Sequence, residues 1–93
     1  MAHEIEFDWD DENVAHLAVH KVVPGEFEEL ILSEPLDLRF EMVNGEERYR
    51  SVGITNFGRV LTVAWTIRDG RVRAITAFRA TVADRKAFLR GHK

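Results

Sequence analysis

The chain has 93 residues, of which 45% are hydrophobic and 31% are charged, and it contains no cysteine. This length is enough for one domain with one hydrophobic core, which we expect to span residues 1–93. The lack of cysteine excludes disulfide bonds, thiolate metal ligands and a cysteine nucleophile. The N-terminus is acidic, unlike a signal peptide, and no apolar run approaches the ~20 residues that span a bilayer. We therefore expect a cytoplasmic protein without membrane contact.

The charged residues are divided unevenly between the two halves of the chain, although the net charge is only −3. Residues 1–47 carry fourteen acidic and two basic side chains, whereas residues 48–93 carry two acidic and eleven basic ones, nine of them arginine. Arginine is preferred where planar contact to phosphate or carboxylate is needed. The asymmetry indicates a surface that faces a polyanion, unless the two halves simply neutralise each other in the fold.

The N-terminal third is predicted to form one strand and two helices. Apolar and acidic residues alternate over residues 5–9, which is typical of a half-buried strand. One of the two aspartates at positions 10–11 can cap a helix that runs to about Lys21. A second helix is predicted for residues 24–34, because it begins at a proline and another proline follows its last residue.

From residue 36 onward the apolar residues recur with a period of two, which predicts a sheet. The predicted strands are residues 36–42, 47–55, 59–68 and 71–78. The dipeptides Asn44-Gly45 and Asp69-Gly70 predict two-residue hairpin turns. A capping box formed by Thr81 and Asp84 predicts a last helix over residues 82–90. The expected fold class is α+β, with a mainly antiparallel sheet of four to five strands and helices packed on one face.

The hairpin turns fix the strand register and therefore the face of each side chain. The predicted register places Phe40 opposite Tyr49, Tyr49 opposite Trp65, and Thr66 opposite Arg73. The face expected to pack under the helices carries Leu38, Phe40, Met42, Tyr49, Leu61, Val63, Trp65, Ile67, Val72 and Phe78. The opposite face, which we call the arginine face, carries Arg39, Glu41, Arg48, Arg50, Thr62, Thr66, Arg68, Arg71 and Arg73. Like charges on adjacent strands repel, so this face favours binding of phosphate or carboxylate; the alternative is that its arginines are solvated and paired with the acidic helices.

His16 and His20 are four residues apart and therefore share one face of the first helix. They lack the glutamate of an HExxH motif and a nearby third ligand, so we expect neither a metal site nor a cofactor. Two roles stay open: a solvent-facing or helix-capping role, and a role as general acid, general base or phosphate ligand. Histidines beside arginines permit metal-free RNA cleavage, which needs a base, an acid and fixed positive charge.

Three stretches resemble the BrnT family in their order and spacing: FDWDDENVAHLAVHKVVPGEFEEL, LDLRFEMVNGEERYRSVGIT and RVLTVAWTIRDGRVRAITAFRAT. These proteins are toxins of type II toxin–antitoxin systems with a RelE-like fold. The resemblance covers about residues 4–90. Its most telling pieces are Phe7-x-Trp9-Asp10, the Asn13…His16…His20 helix, Gly45-Glu46-Glu47-Arg48 and Ile75-Thr76-Ala77.

The resemblance implies an RNA-cleaving toxin that is inhibited by a BrnA-like antitoxin with a ribbon-helix-helix DNA-binding part, and hence a hetero-oligomer with that antitoxin. His20 matches the family's helix-end histidine, Arg48 its arginine after the glutamate pair, and Arg73 a basic residue on the last strand. The predicted catalytic residues are His16, His20, Arg48 and Arg73. The predicted RNA-binding residues are Arg39, Arg50, Thr66, Arg71 and Arg79.

Two positions depart from the family pattern. Lys21 stands where the family usually has glycine. Phe78 stands where the family commonly has arginine, and Arg79 follows one place later, on the opposite face if the strand continues. The alternative function is therefore a catalytically silent RNA- or protein-binding domain of the same fold.

Overall fold

The computed structural model describes residues 4–91, which form three helices and one four-stranded sheet. The helices are α1 (Asp11–Val19), α2 (Pro24–Leu32) and α3 (Val82–Gly91). The strands are β1 (Leu36–Val43), β2 (Glu46–Ile54), β3 (Val60–Arg68) and β4 (Arg71–Arg79). They pair antiparallel in the order β1-β2-β3-β4, which confirms the predicted α+β fold. No helix among the described residues is long and apolar enough to cross a membrane.

Two tight turns set the register of the sheet. Asn44 and Gly45 have φ angles of 52° and 79°, and Asp69 and Gly70 have φ angles of 53° and 76°. Positive φ at both central residues is the signature of the type I′ turn, whose twist matches that of the flanking strands. The hairpins predicted from these two dipeptides are therefore present.

The predicted register is confirmed at the centre of the sheet. Phe40 pairs with Tyr49, and Tyr49 pairs with Trp65. Thr66 pairs with Arg73 across β3 and β4. Tyr49 and Trp65 therefore lie on one face and Arg73 on the other, because paired residues share a face and neighbours along a strand alternate.

A bulge in β4 makes the prediction for Phe78 wrong. Ala64 pairs with Thr76 but Trp65 pairs with Ala74, so Ile75 is an extra residue between them. The extra residue reverses the faces of the residues that follow it. Phe78 consequently pairs with Thr62 and lies on the arginine face instead of under the helices.

The core lies between the sheet and the first two helices. Its buried residues are Leu17, Val22, Phe27, Leu30, Leu61, Val63, Ala74 and Ala77. Phe27 is fully buried and contacts the rings of Phe7 and Trp9 edge-on. The helices do not cover this whole face, because Phe40 remains 54% exposed and Met42 58% exposed.

Helix α3 packs on the opposite face of the sheet from α1 and α2. The prediction that all helices pack on one face of the sheet is therefore wrong. Gly53 lies against Leu30 of α2, whereas its neighbour Val52 packs with Phe88 of α3. Successive strand residues point to opposite faces, so the two helices lie on opposite sides of β2. Leu38, predicted on the first face, joins the α3 cluster, because β1 shifts register at this residue.

One edge of the sheet is covered by other parts of the chain, whereas the other edge is free among the described residues. Residues 6–8 run parallel to β4, with hydrogen bonds from Asp8 N–H to Val72 O (2.9 Å) and from Val72 N–H to Glu6 O (2.8 Å). The predicted first strand is thus reduced to one bridge, and α1 then packs along the same strand. Among residues 4–91, none pairs with the outer edge of β1.

We predict that Gly53→Ala destabilises the protein by about 1–3 kcal/mol, as expected for overpacking of a core. A Cβ at this position would lie 2.9 Å from Leu30 Cγ and 3.2 Å from Pro35 Cβ. Leu30 is fully buried and cannot move away freely. Urea unfolding would measure the change. Gly25→Ala is the matched control, because among the described residues no atom beyond its chain neighbours and its own helix backbone lies within 4 Å of the added Cβ. Equal stability of the two variants would contradict the close approach of α2 to β2.

Candidate functional site on the arginine face

A depression of about 230 Å³ lies at the centre of the arginine face. One row of paired residues crosses it, namely Arg39, Arg50, Ala64 and Thr76. Ala64 and Thr76 have short side chains, so the floor of the depression is low between the longer side chains around it. Arg48 and Glu41, which pair with each other on β2 and β1, complete its sides.

Helix α1 brings both histidines beside this face. His16 lines a second depression of about 150 Å³ together with Arg48, Thr66 and Arg73. His20 is the C-cap residue of α1, and its ring centroid lies 6.0 Å from that of Phe78. Both histidines are exposed to solvent. The helix-capping interpretation of His20 therefore holds for its backbone, while its side chain stays available at the edge of the site.

Three arginines of the face keep much of their charge available. Arg48 contacts Glu46 at 3.2 Å and Arg50 contacts Asp84 at 3.3 Å, yet their side chains remain 40% and 41% exposed. Exposed ion pairs of this kind contribute little to stability. Arg39 has no ion pair among residues 4–91 and lies opposite the like charge of Arg50.

Arg73 differs from the other arginines because it is buried and its charge is already matched. Its side chain is 7% exposed and contacts Asp10 at 2.9 Å, Glu12 at 3.2 Å and Asp8 at 3.5 Å. Burial alone would lower the pKa of this guanidinium, but the hydrogen bond to Asp10 and the three carboxylate charges raise it. Arg73 is thus a fixed cation that ties the residues before α1 to β4.

The remaining predicted RNA-binding residues are less favourably placed. Thr66 is buried, and its hydroxyl donates a hydrogen bond to the backbone oxygen of Glu47. Arg71 lies at the end of the sheet and contacts Glu6 at 3.6 Å. Arg79 pairs with Leu61, a residue of the core, so it lies on the face opposite Phe78. The structure does not bring Arg79 together with Arg48 and Arg50.

Sequence reasoning missed Phe78 and Asp84 as parts of the site. The guanidinium carbon of Arg50 lies 5.6 Å from the centre of the Phe78 ring. The Asp84 carboxylate accepts hydrogen bonds from Arg50 (3.3 Å) and from the Thr62 hydroxyl (2.7 Å). The spacing of Thr81 and Asp84 predicts only a helix cap, and the Asp84 backbone N–H does donate to the Thr81 hydroxyl (3.1 Å). Nothing in the sequence indicates that α3 lies on this face.

Comparison with known families gives one match. Residues 9–84 match the family described as the ribonuclease toxin BrnT of type II toxin–antitoxin systems. The matched range includes both histidines of α1, the whole sheet and Asp84. A comparison with curated proteins found no match.

We predict that Asp10→Asn lowers stability at neutral pH and that this loss disappears in acid. A hydrogen bond from the Asn13 backbone, together with Arg73, holds the pKa of the Asp10 carboxyl below its ordinary value of 3.8. A carboxyl with a lowered folded-state pKa stabilises the protein above its unfolded-state pKa. That stabilisation is lost as the pH falls through the folded-state pKa. Asparagine is also a good N-cap residue, so the variant removes mainly the charge.

Urea midpoints of the wild type and Asp10→Asn, measured from neutral pH down to about pH 2, would test this linkage. The two stability curves should converge at the acidic end. Asp11→Asn is the matched control, because Asp11 begins the same helix but has no ion pair among the described residues. If the urea midpoints of the wild type and Asp10→Asn differ by the same amount at every pH, the charge of Asp10 is not the source of the stabilisation.

Proposed function

We propose that this chain, which belongs to the BrnT family of ribonuclease toxins of type II toxin–antitoxin systems, cleaves RNA on its arginine face without a metal ion. The observation that carries the proposal is the grouping of Arg39, Arg48 and Arg50 around one depression, with His16 and His20 of α1 beside it. This arrangement places fixed positive charge beside imidazole side chains, which are common general acids and bases in enzymes.

The arginines are proposed to bind the phosphates of the RNA backbone. A guanidinium can donate two parallel hydrogen bonds to one phosphate, and it remains charged at all physiological pH values. Arg48 and Arg50 are half exposed, and among residues 4–91 each has a single carboxylate partner, which a phosphate can replace. Within one copy Arg39 has no such partner among residues 4–91, so in the monomer it can bind a phosphate without first breaking an ion pair.

The histidines are proposed to transfer the protons. Cleavage of RNA by its own 2′-hydroxyl requires a base that removes the hydroxyl proton and an acid that protonates the leaving 5′-oxygen. Side chains four residues apart on a helix are separated by about 5–6 Å at Cβ, so His16 and His20 can act on opposite sides of one phosphate. The negative charge that develops on the phosphate oxygens is then stabilised by Arg48 and Arg50.

Arg73 is proposed to support this site by positioning as well as by charge. It lines the same depression as His16 and Arg48, but its guanidinium is held by three carboxylates of residues 8–12. Removing one member of a buried charge cluster leaves the others unpaired and is strongly destabilising. We therefore expect Arg73→Ala to lose stability along with activity, unlike a variant of Arg48.

The family also implies an antitoxin partner, which we propose to be a BrnA-like protein with a ribbon-helix-helix part, acting in the cytoplasm. An acidic or helical segment of this antitoxin would cover the arginine face and exclude RNA from it. Inhibition by direct coverage needs no conformational change in the toxin.

One observation favours a second candidate function. Phe78 occupies a position where the resemblance leads one to expect arginine, and its ring contacts Arg50 on the arginine face. An aromatic ring beside guanidinium groups suits stacking of an RNA base. A chain that binds RNA through Phe78 and the arginines, but does not cleave it, would be a silent member of the family.

We predict that Arg48→Ala lowers the rate of RNA cleavage by ~10²–10³-fold, because it removes a donor whose contact is strongest in the transition state. Its thermal midpoint should change little, since an exposed ion pair contributes only ~0–1 kcal/mol. His16→Ala and His20→Ala should each reduce cleavage if these side chains transfer protons. Growth after induced expression and the integrity of cellular RNA would measure toxicity, and purified protein with ribosomes would measure cleavage.

Arg90→Ala is the matched control, because Arg90 lies exposed on α3 and is not part of the site. This variant should remain as toxic as the wild type. Undiminished toxicity of Arg48→Ala would contradict the proposed site. Wild-type protein that binds RNA but never cleaves it, alone or with ribosomes, would establish the silent binding domain instead.

We predict that reversing the charge at Arg48 and Arg50 together prevents the antitoxin from co-purifying with this chain. Two acidic side chains on this face would repel an acidic segment of the antitoxin. Charge reversal at Arg85 and Lys86 is the control, because both residues are exposed on α3. Equal recovery of the antitoxin with both double variants would show that it binds elsewhere.

A further inference from the structure

The outer edge of β1 is exposed along four consecutive residues, Arg39, Phe40, Glu41 and Met42. The opposite edge of the sheet is covered by residues 6–8 and by α1, whereas no residue among 4–91 pairs with this edge. A free edge presents unpaired N–H and C=O groups that can pair with another strand. The large apolar side chains of Phe40 and Met42 make this edge unusual, because free edges are commonly protected by charge.

The turn before β2 determines which backbone groups of β1 point outward. Val43 and Glu46 flank a two-residue turn and exchange its hydrogen bonds, so the backbone of Val43 points towards β2. Bonding pairs alternate along an antiparallel ladder. Glu41 therefore also bonds to β2, while Phe40 and Met42 direct their N–H and C=O groups to the free edge.

The sequence of this edge is complementary to itself when two copies run antiparallel. Pairing centred on Phe40 places Arg39 of each copy opposite Glu41 of the other copy, and the two Phe40 residues face each other. Neither Arg39 nor Glu41 has an ion pair within residues 4–91, so both charges are available for this contact. Pairing centred on either neighbouring residue would instead place two arginines or two glutamates opposite each other, which is unfavourable.

We propose that this edge is the interface of a homodimer, in which β1 pairs antiparallel with β1 of a second copy about Phe40. Two copies of the four-stranded sheet then form one continuous sheet of eight strands. The ring of Phe40 lies 5.2 Å from that of Tyr49, which stacks at 4.4 Å on Trp65, and this row of rings continues into the same row of the second copy. The two-fold axis is normal to the sheet, so both arginine faces lie on the same side of the dimer.

Sedimentation of the full chain over a range of concentrations tests the interface. The wild type should form dimers reversibly, and Arg39→Glu and Glu41→Arg should each weaken association by about ten-fold, because each places like charges opposite each other twice. The double variant Arg39→Glu with Glu41→Arg exchanges the charges and should restore association. Arg85→Glu, an exposed reversal on α3, should change nothing. Circular dichroism would establish that each variant is folded.

Cysteine variants test the register, because the chain contains no cysteine of its own. Two-fold pairing places the Cα atoms of the Phe40 residues about 5.5 Å apart, within the range of a disulfide. Met42 of one copy instead lies opposite residue 38 of the other copy. The two Met42 residues of the dimer are therefore separated along the strands by four residues, or about 13 Å. Under mild oxidation Phe40→Cys should therefore form covalent dimers at least about ten-fold faster than Met42→Cys.

Three outcomes would overturn the proposal. The first is a chain that stays monomeric at every concentration. This outcome includes the case in which the β1 edge binds a different protein but not a second copy. The second is a double charge-exchange variant that associates no better than the single variants. The third is Phe40→Cys that forms disulfide dimers no faster than Met42→Cys, which would exclude pairing about Phe40.

Discussion

The ion pairs of Arg73 join the two oppositely charged halves of the chain. A guanidinium on β4 is buried among carboxylates of Asp8, Asp10 and Glu12, which lie immediately before and within the start of α1. Together with the burial of Leu17, this contact fixes α1 along the edge of the sheet. Both histidines of α1 then lie beside the arginine face, so the geometry of the candidate site depends on these ion pairs.

Burial separates the arginines into two groups with different roles. Arg73 is buried, and a buried charge is tolerated only when opposite charges surround it. Arg59 also forms a close ion pair, with Glu26 at 2.8 Å, but its side chain is 37% exposed. Arg39, Arg48 and Arg50 are more exposed, so water solvates them and their charge is not cancelled. Neutralisation between the halves therefore occurs at Arg73, whereas exposed positive charge remains elsewhere on the same sheet.

Much of the fold follows from local sequence features. The type I′ turns at Asn44-Gly45 and Asp69-Gly70 fixed the pairing of Phe40 with Tyr49 and of Thr66 with Arg73, because these turns allow only one register. The bulge at Ile75 was not predictable, since no glycine or proline marks it. It reversed the faces at the end of β4 and moved Phe78 from the expected core into the site.

The sequence by itself determined the three helices, the two tight turns, the register at the centre of the sheet and the arginines of the arginine face, because each depends on residues close together in the chain. Only the tertiary structure decided which arginines are neutralised and which are available, since Arg73 meets carboxylates about sixty positions away. The tertiary structure also decided that α3 packs on the face of β2 that carries Arg50, where Asp84 contacts this arginine. Both contacts depend on which side of the sheet a helix occupies, and an apolar helix face fits either side of a sheet that has apolar residues on both.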